Sequence, residues 1–303
     1  MTGRERVWDA GRPVDVDRTL SPLRRGPGDR AHRRDAAGTF WWACATPTGD
    51  GTLAVRAAAG VVTARAWGPG SRWLLEGVPR LLGVDDDWSA LALDTHPRLR
   101  DVLRRRPGVR LPATGLLLDS LVPAVLEQRV TGSEAHRAWR GLLHRFGSPA
   151  PGPDPRLRVP PPAAVLLQIP SWDWHRLGVD SRRQRAIRAV ATVAGRLEEC
   201  VAMAPDAALA RLRLIPGVGE WTAAETAQRV LAHPDAVSVG DYHLADLVTH
   251  FFTGRARGDD AQLLRLLTPW EGQRQRIVRL VELSGLDKPR FGPRYAPLDV
   301  RAI

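Results

Sequence analysis

The 303-residue sequence predicts a mainly helical α+β protein, with a small antiparallel β domain ahead of a helical core. Two patterns predict this. Three short runs, residues 40–45, 52–59 and 60–67, lean towards β structure and are separated by Gly, Pro and Asp, as hairpin-linked strands are. From about Leu116 onward, apolar residues recur at helical spacing instead. With 44% hydrophobic residues, a chain of this length can bury a sizeable core and hold two domains.

Taken in order, residues 1–35 are rich in Arg, Asp, Gly and Pro and are expected to be partly flexible. The three β runs follow, then a helical stretch at 71–82. Helices dominate after 116, with a break at 147–162, where seven prolines predict a long irregular loop. Residues 288–303 hold Pro, Gly and Arg without periodicity and read as an extended surface tail. The expected domains are a β-rich unit over 1–97, a helical unit over 98–287 and the tail over 288–303. There is no internal repeat.

Charge points to the partner. The formal net charge is +11, which favours a polyanion: nucleic acid first, an anionic membrane surface second. Lys288 is the only lysine, and arginine supplies the other 43 basic residues. The same bias would arise in a GC-rich genome. No apolar run approaches the ~18 residues of a membrane span, and residues 1–34 lack the apolar stretch of a signal peptide. A cytoplasmic, nucleoid-associated monomer is the expectation. Cys44 and Cys200 have no metal-spaced partners, so neither a disulfide framework, a zinc site nor a four-cysteine cluster is expected, and no cofactor. His233, His243 and His250 lack ligand spacing, and His243 and His250 read as helix-face residues. Trp172 and Trp174 read as core packing.

The most informative stretch is Leu214-Ile215-Pro216-Gly217-Val218-Gly219-Glu220-Trp221-Thr222-Ala223. It reads as the turn of a helix–hairpin–helix over 206–231. Gly217 and Gly219 lack Cβ atoms, so the backbone can turn sharply and approach a ligand closely. An Ala-rich helix begins at Glu220. Amides at a helix start favour an anion, and a DNA phosphate suits a chain this basic. An ordinary turn is the competing reading. Asp241 follows Trp221 by twenty residues, within Gly240-Asp241-Tyr242. A carboxylate there can stabilise the positive sugar formed when a glycosidic bond breaks, or can simply cap a helix; one side chain can do both.

Together these blocks resemble the helix–hairpin–helix DNA glycosylases, and among them the DNA-3-methyladenine glycosylase II (AlkA-type) family. Four further blocks carry the resemblance, which spans about residues 98–285. The run Arg106 to Pro112 is similar to the family's entry into its helical core. The run Ala124 to Thr131 is similar to the I-L-G-Q-x-V-S helix and turn. Leu177-Gly178 with the run Arg182 to Ile187 is similar to an L-G-x-x-x-x-R-A helix. Pro269-Trp270 opens what resembles the last core helix.

The resemblance implies site residues. Asp241 matches the catalytic aspartate. Trp221 stands where bifunctional relatives carry a Schiff-base lysine, so it implies a monofunctional enzyme without lyase activity. Trp221, Tyr242, Glu225 and Arg279 fall at base-pocket positions, and Trp221 offers a π face for an electron-poor base. Gln128 and Arg129 match the turn that fills the gap left by a flipped base; for Arg129 a plain surface arginine is the alternative. Pro216, Gly217, Val218, Gly219 and Thr222 would meet the phosphate. Backbone carbonyls of Arg213, Ile215 and Val218 would hold a monovalent cation once DNA is bound.

Two positions depart from the family pattern. Glu225 and Arg279 stand where aromatic residues are expected, and could pair across the pocket or be ordinary solvated charges. The implied activity is removal of a damaged, alkylated purine from duplex DNA. The alternatives are a same-fold glycosylase for a deaminated base or bulky adduct, and a DNA-binding helix–hairpin–helix protein without catalysis.

Overall fold

The computed structural model describes residues 2–286. Its sheet has five antiparallel strands: β1 Arg4–Asp9, β2 His32–Arg34, β3 Phe40–Thr46, β4 Gly49–Ala58 and β5 Val61–Trp67, in the spatial order β1-β5-β4-β3-β2. Side chains alternate across a strand, so each strand serves two faces. In β3, Phe40, Trp42 and Cys44 join one core with Leu20 and Leu74, while Ala43 meets Leu157 and Val159 on the other face. Helices α1 Val16–Leu20 and α2 Ser71–Leu81 cover the first face. Pro79 removes a helical N–H within α2, so the Leu75 carbonyl lacks its usual donor. Arg6 of β1 supplies one, at 2.9 Å.

The second face is covered from the proline-rich stretch. It was expected to be irregular, yet it carries a two-strand ladder, β6 Ser148–Pro149 with β7 Arg158–Val159. Leu157 and Val159 give this segment a face to bury. The first 35 residues, expected to be partly flexible, contain β1, α1 and β2, and Leu20, Leu23 and Ala31 within them are buried. The expected tail at 288–303 lies outside the described residues.

The helical part comprises α3 Pro97–Arg105, α4 Leu117–Leu126, α5 Gly132–Phe146, α6 Ala163–Gln168, α7 Ser171–Arg176, α8 Ser181–Thr192, α9 Ala194–Leu197, α10 Pro205–Arg213, α11 Glu220–Val230, α12 Leu244–Thr253, α13 Asp260–Leu267 and α14 Arg274–Leu283. The fold is thus α+β and mainly α. Helix α4 is apolar on nearly every side, as a central helix must be. Leu117 and Leu121 face Leu212 and Ile215, while Val125 and Leu126 face Trp139 and Ile187. A separate core gathers α3, α12, α13 and α14 around Trp270. Trp174 is fully buried, as expected, but Trp172 is 63% exposed. Among the described residues no helix is long and apolar enough to cross a membrane.

Candidate functional site

The hairpin between α10 and α11 is anchored from below. Ile215 and Val218 are buried in the core that holds Leu212, and the Val218 amide donates to the Ile215 carbonyl at 2.9 Å. Its two glycines do different work. Gly217 has φ +87°, and a Cβ there would lie 2.5 Å from the Cβ of Ala186 on α8. That glycine is required by the turn and by packing. Gly219 is extended, at φ −86° and ψ −176°, and a Cβ on it would meet nothing within 4 Å. Its missing side chain leaves space open in front of α11.

Gly219 is also the N-cap of α11, and no side chain caps that helix start. The first amides of a helix lack internal partners and carry the positive end of the helix dipole. An uncapped start facing open space is a seat for an anion. Pro216 and Leu214 are exposed beside it.

Asp241 stands across from this helix start. Gly240, at φ +86°, turns the chain ahead of it, and the Asp241 amide donates to the Ser238 carbonyl at 3.2 Å. Oδ1 accepts from the amides of His243 and Leu244, at 2.7 and 2.9 Å, ahead of α12. Asp241 was expected to be the helix's own N-cap; that position is taken by His243, and Asp241 holds the entry to the helix from two residues before it. Oδ2 accepts from Trp221 Nε1 at 3.2 Å. Trp221 and Asp241 are both half-buried. Tyr242 is 78% exposed, edge-on to the ring of His243.

Glu225 and Arg279 do not pair with each other. Glu225 bonds Arg229 at 2.8 Å and accepts from the Ser238 hydroxyl at 2.5 Å. Arg279 donates to Glu282 at 2.8 Å, to the Arg18 carbonyl at 2.5 Å and to the Ser21 hydroxyl at 3.1 Å. Arg279 is buried and Glu225 partly buried, and each charge has an ion-pair partner of its own, although the Arg279 Nε is left without one. Arg229 also donates to the Pro22 carbonyl at 3.0 Å, so both arginines tie the helical core to the 18–22 segment. The i,i+4 spacing of Glu225 and Arg229 was the available sign of that pair. Nothing local marked Ser21 or Pro22.

Gln128 and Thr222 also bond to each other within the protein. Gln128 Nε2 donates to the Gly217 carbonyl at 2.9 Å and to the Thr222 hydroxyl at 2.8 Å. Thr222 is 2% exposed, so its side chain serves the protein interior. Arg129 is exposed, and its backbone is left-handed at φ +54°. Arg213 is exposed, and the Ile215 carbonyl keeps a second lone pair beyond its bond to Val218, so the turn retains acceptors for a cation.

No family model matches the sequence. Over 171 residues the chain is 34% identical to a protein of Mycobacterium tuberculosis described as a probable bifunctional transcriptional activator/DNA repair enzyme AlkA. That match covers 54% of this chain and 34% of the relative, so the chain spans about a third of the length of the curated relatives it matches. In three dimensions it resembles 3-methyladenine DNA-glycosylase from Archaeoglobus fulgidus, with TM-score 0.76 at 14% identity over 92% of this chain and 98% of the other. It also resembles the apo form of an 8-oxoguanine glycosylase/lyase from Clostridium acetobutylicum, with TM-score 0.70 at 9% identity over 94% and 99%. These structural likenesses establish the fold.

Proposed function

We propose that this chain is a helix–hairpin–helix glycosylase of the AlkA type, a monofunctional DNA glycosylase that excises a damaged purine from duplex DNA and leaves an abasic site; its likeness to an AlkA protein and to a 3-methyladenine DNA-glycosylase supports this reading. One observation carries this reading: the uncapped start of α11 and the Asp241 carboxylate belong to one unit, joined through Trp221. A backbone phosphate seated on the α11 amides would bring the neighbouring nucleotide to Asp241 once its base leaves the stack. The carboxylate then faces the oxocarbenium-like sugar and stabilises it, and water completes the hydrolysis. The carbonyls of Arg213, Ile215 and Val218 would hold a monovalent cation beneath that phosphate. Damaged double-stranded DNA is the partner, and the chain works as a monomer without a membrane.

Trp221 supports the absence of lyase chemistry. A β-elimination through the enzyme needs an amine nucleophile, and Trp221 occupies the position where bifunctional relatives place it. Tyr242 is exposed next to Asp241, at a position the resemblance gives to the base pocket.

A second reading concerns the lesion. Glu225 lies one helical turn past Trp221 in a network with Arg229 and Ser238. That polar wall favours a base with matching hydrogen-bonding edges, such as a deaminated purine, over a purely cationic one. Duplexes carrying 3-methyladenine, 7-methylguanine, 1,N6-ethenoadenine or hypoxanthine, incubated with the protein and then cleaved with alkali, decide between the readings. Strand breaks at one or more lesions are expected. Tight binding to every duplex without any break would instead identify a DNA-binding protein lacking catalysis.

A further inference from the structure

The turn between α4 and α5 is braced from three sides. From α8, Arg183 is 2% exposed and donates to the Leu126 carbonyl at 3.0 Å, with its other groups held by Asp180 and the Gly178 carbonyl. From the N-terminal segment, buried Arg25 grips both carboxylate oxygens of Glu127 at 3.0 Å. From the hairpin, the Gly217 carbonyl and the Thr222 hydroxyl take both Nε2 hydrogens of Gln128. The next residue is Arg129.

Arg129 is held in a conformation that costs a non-glycine residue free energy and persists where its surroundings over-determine it. Its guanidinium makes no hydrogen bond or ion pair with the described residues. The strain therefore serves no internal contact of that side chain.

We propose that Gln128 is a positioning residue which couples the phosphate seat at the hairpin to Arg129, so that seating of the strand and entry of Arg129 into the vacated stack occur as one event. Gln128 bonds the carbonyl of Gly217, two residues before the Gly219 cap of α11, so a displacement of the hairpin is carried directly to the turn. Arg25 and Arg183 fix the turn's other side, and Gln128 ties it to the hairpin through two side-chain hydrogen bonds. This rests on the DNA reading above, but it concerns binding geometry and not bond cleavage.

The test is a double-mutant cycle on the full chain. Gln128→Leu removes both donors at similar size, Gln128→Glu sets a carboxylate against the Gly217 carbonyl, and Arg129→Ala removes the side chain being positioned. Each protein is titrated against an undamaged duplex and a duplex with a tetrahydrofuran abasic analogue, at one fixed salt concentration. The expected result is that Gln128→Leu binds undamaged DNA within about twofold of wild type and loses about tenfold on the abasic duplex. The Gln128→Leu, Arg129→Ala double variant should be no weaker on the abasic duplex than Arg129→Ala alone. Gln128→Glu should behave as Gln128→Leu does, which keeps the test open if the leucine variant does not fold. Multiplying losses in the double variant, or an equal loss on both duplexes, would overturn the coupling. So would wild-type protein showing no preference for the abasic duplex. A protein that passes this cycle but excises no base would refute the enzyme and leave the coupling standing.

Discussion

The indole N–H of Trp221 donates to Oδ2 of Asp241 across 3.2 Å, linking the first turn of α11 to the loop before α12. The other oxygen of Asp241 is fixed by two backbone amides. A carboxylate held at both oxygens has little freedom to reorganise, and preorganisation of this kind is what lets a fixed charge stabilise a developing one. Trp221 thus holds Asp241 in place.

Replacing the charge should abolish chemistry while sparing binding. Asp241→Asn is expected to bind abasic-analogue duplex as wild type does and to excise on the order of 10²-fold more slowly or worse. Single-turnover excision near the wild-type rate would remove Asp241 from the mechanism. Trp221→Phe keeps the ring but loses one hydrogen bond of about 1 kcal/mol, so a milder, roughly fivefold loss in rate is expected.

The product should be an uncut strand with an abasic site. Borohydride added during turnover is expected to trap no covalent protein–DNA adduct. Adduct formation in good yield would show an amine nucleophile and refute the assignment of a simple hydrolase.

The two hairpin glycines should separate cleanly. Gly217→Val meets both a left-handed backbone and Ala186 at 2.5 Å, so it should lower the melting temperature sharply. Gly219→Val sits in extended backbone with open space around it, so stability should hold while binding to every duplex weakens alike. Undiminished binding by a folded Gly219→Val protein would show that the space before α11 is not where DNA sits.

Glu225 and Arg279 should act independently. Arg229→Met leaves the half of Glu225 it bonds without its cation, and a loss of about 3 kcal/mol is expected for breaking so buried a pair. In contrast, the effects of Glu225→Gln and Arg279→Met on unfolding free energy should add within about 0.5 kcal/mol. A larger coupling would mean the two side chains meet after all.

Asp119 should contribute a loss of stability as pH rises from about 4 to 7, opposed by His136 and His233, whose burial lowers their pKa values. Burial, then the nearby charge of Asp50, pushes the Asp119 carboxyl from its ordinary 3.8 up to about 7, and its Oδ2 is sealed off without a hydrogen-bond partner. Unfolded chain releases this proton near pH 4 and folded chain near pH 7. Between those values the folded state binds more protons, so ionisation costs the fold stability that is lost by pH 7. Asp119→Asn should flatten that slope and gain on the order of 2 kcal/mol at pH 8 in chemical denaturation. An unchanged slope in the variant would assign the pH dependence to another group.

What the sequence by itself determined is local. Strand alternation in 40–67, the helical period after 116 and the turn chemistry around Gly217 each lie within a short stretch, where side-chain spacing decides the outcome. The nearness of Asp241 to Trp221 agrees with the spacing on which the family resemblance rests. Only the tertiary structure decided which partner each polar group takes. β1 reads Arg-Glu-Arg-Val-Trp-Asp and carries no clear alternation, yet it completes the sheet because β5 offers an unpaired edge. Gln128 turned inward to a carbonyl 89 residues away, and Arg279 to a carbonyl 261 residues away. A buried polar group must find a partner wherever packing brings one within reach, and no spacing along the chain records which one that will be.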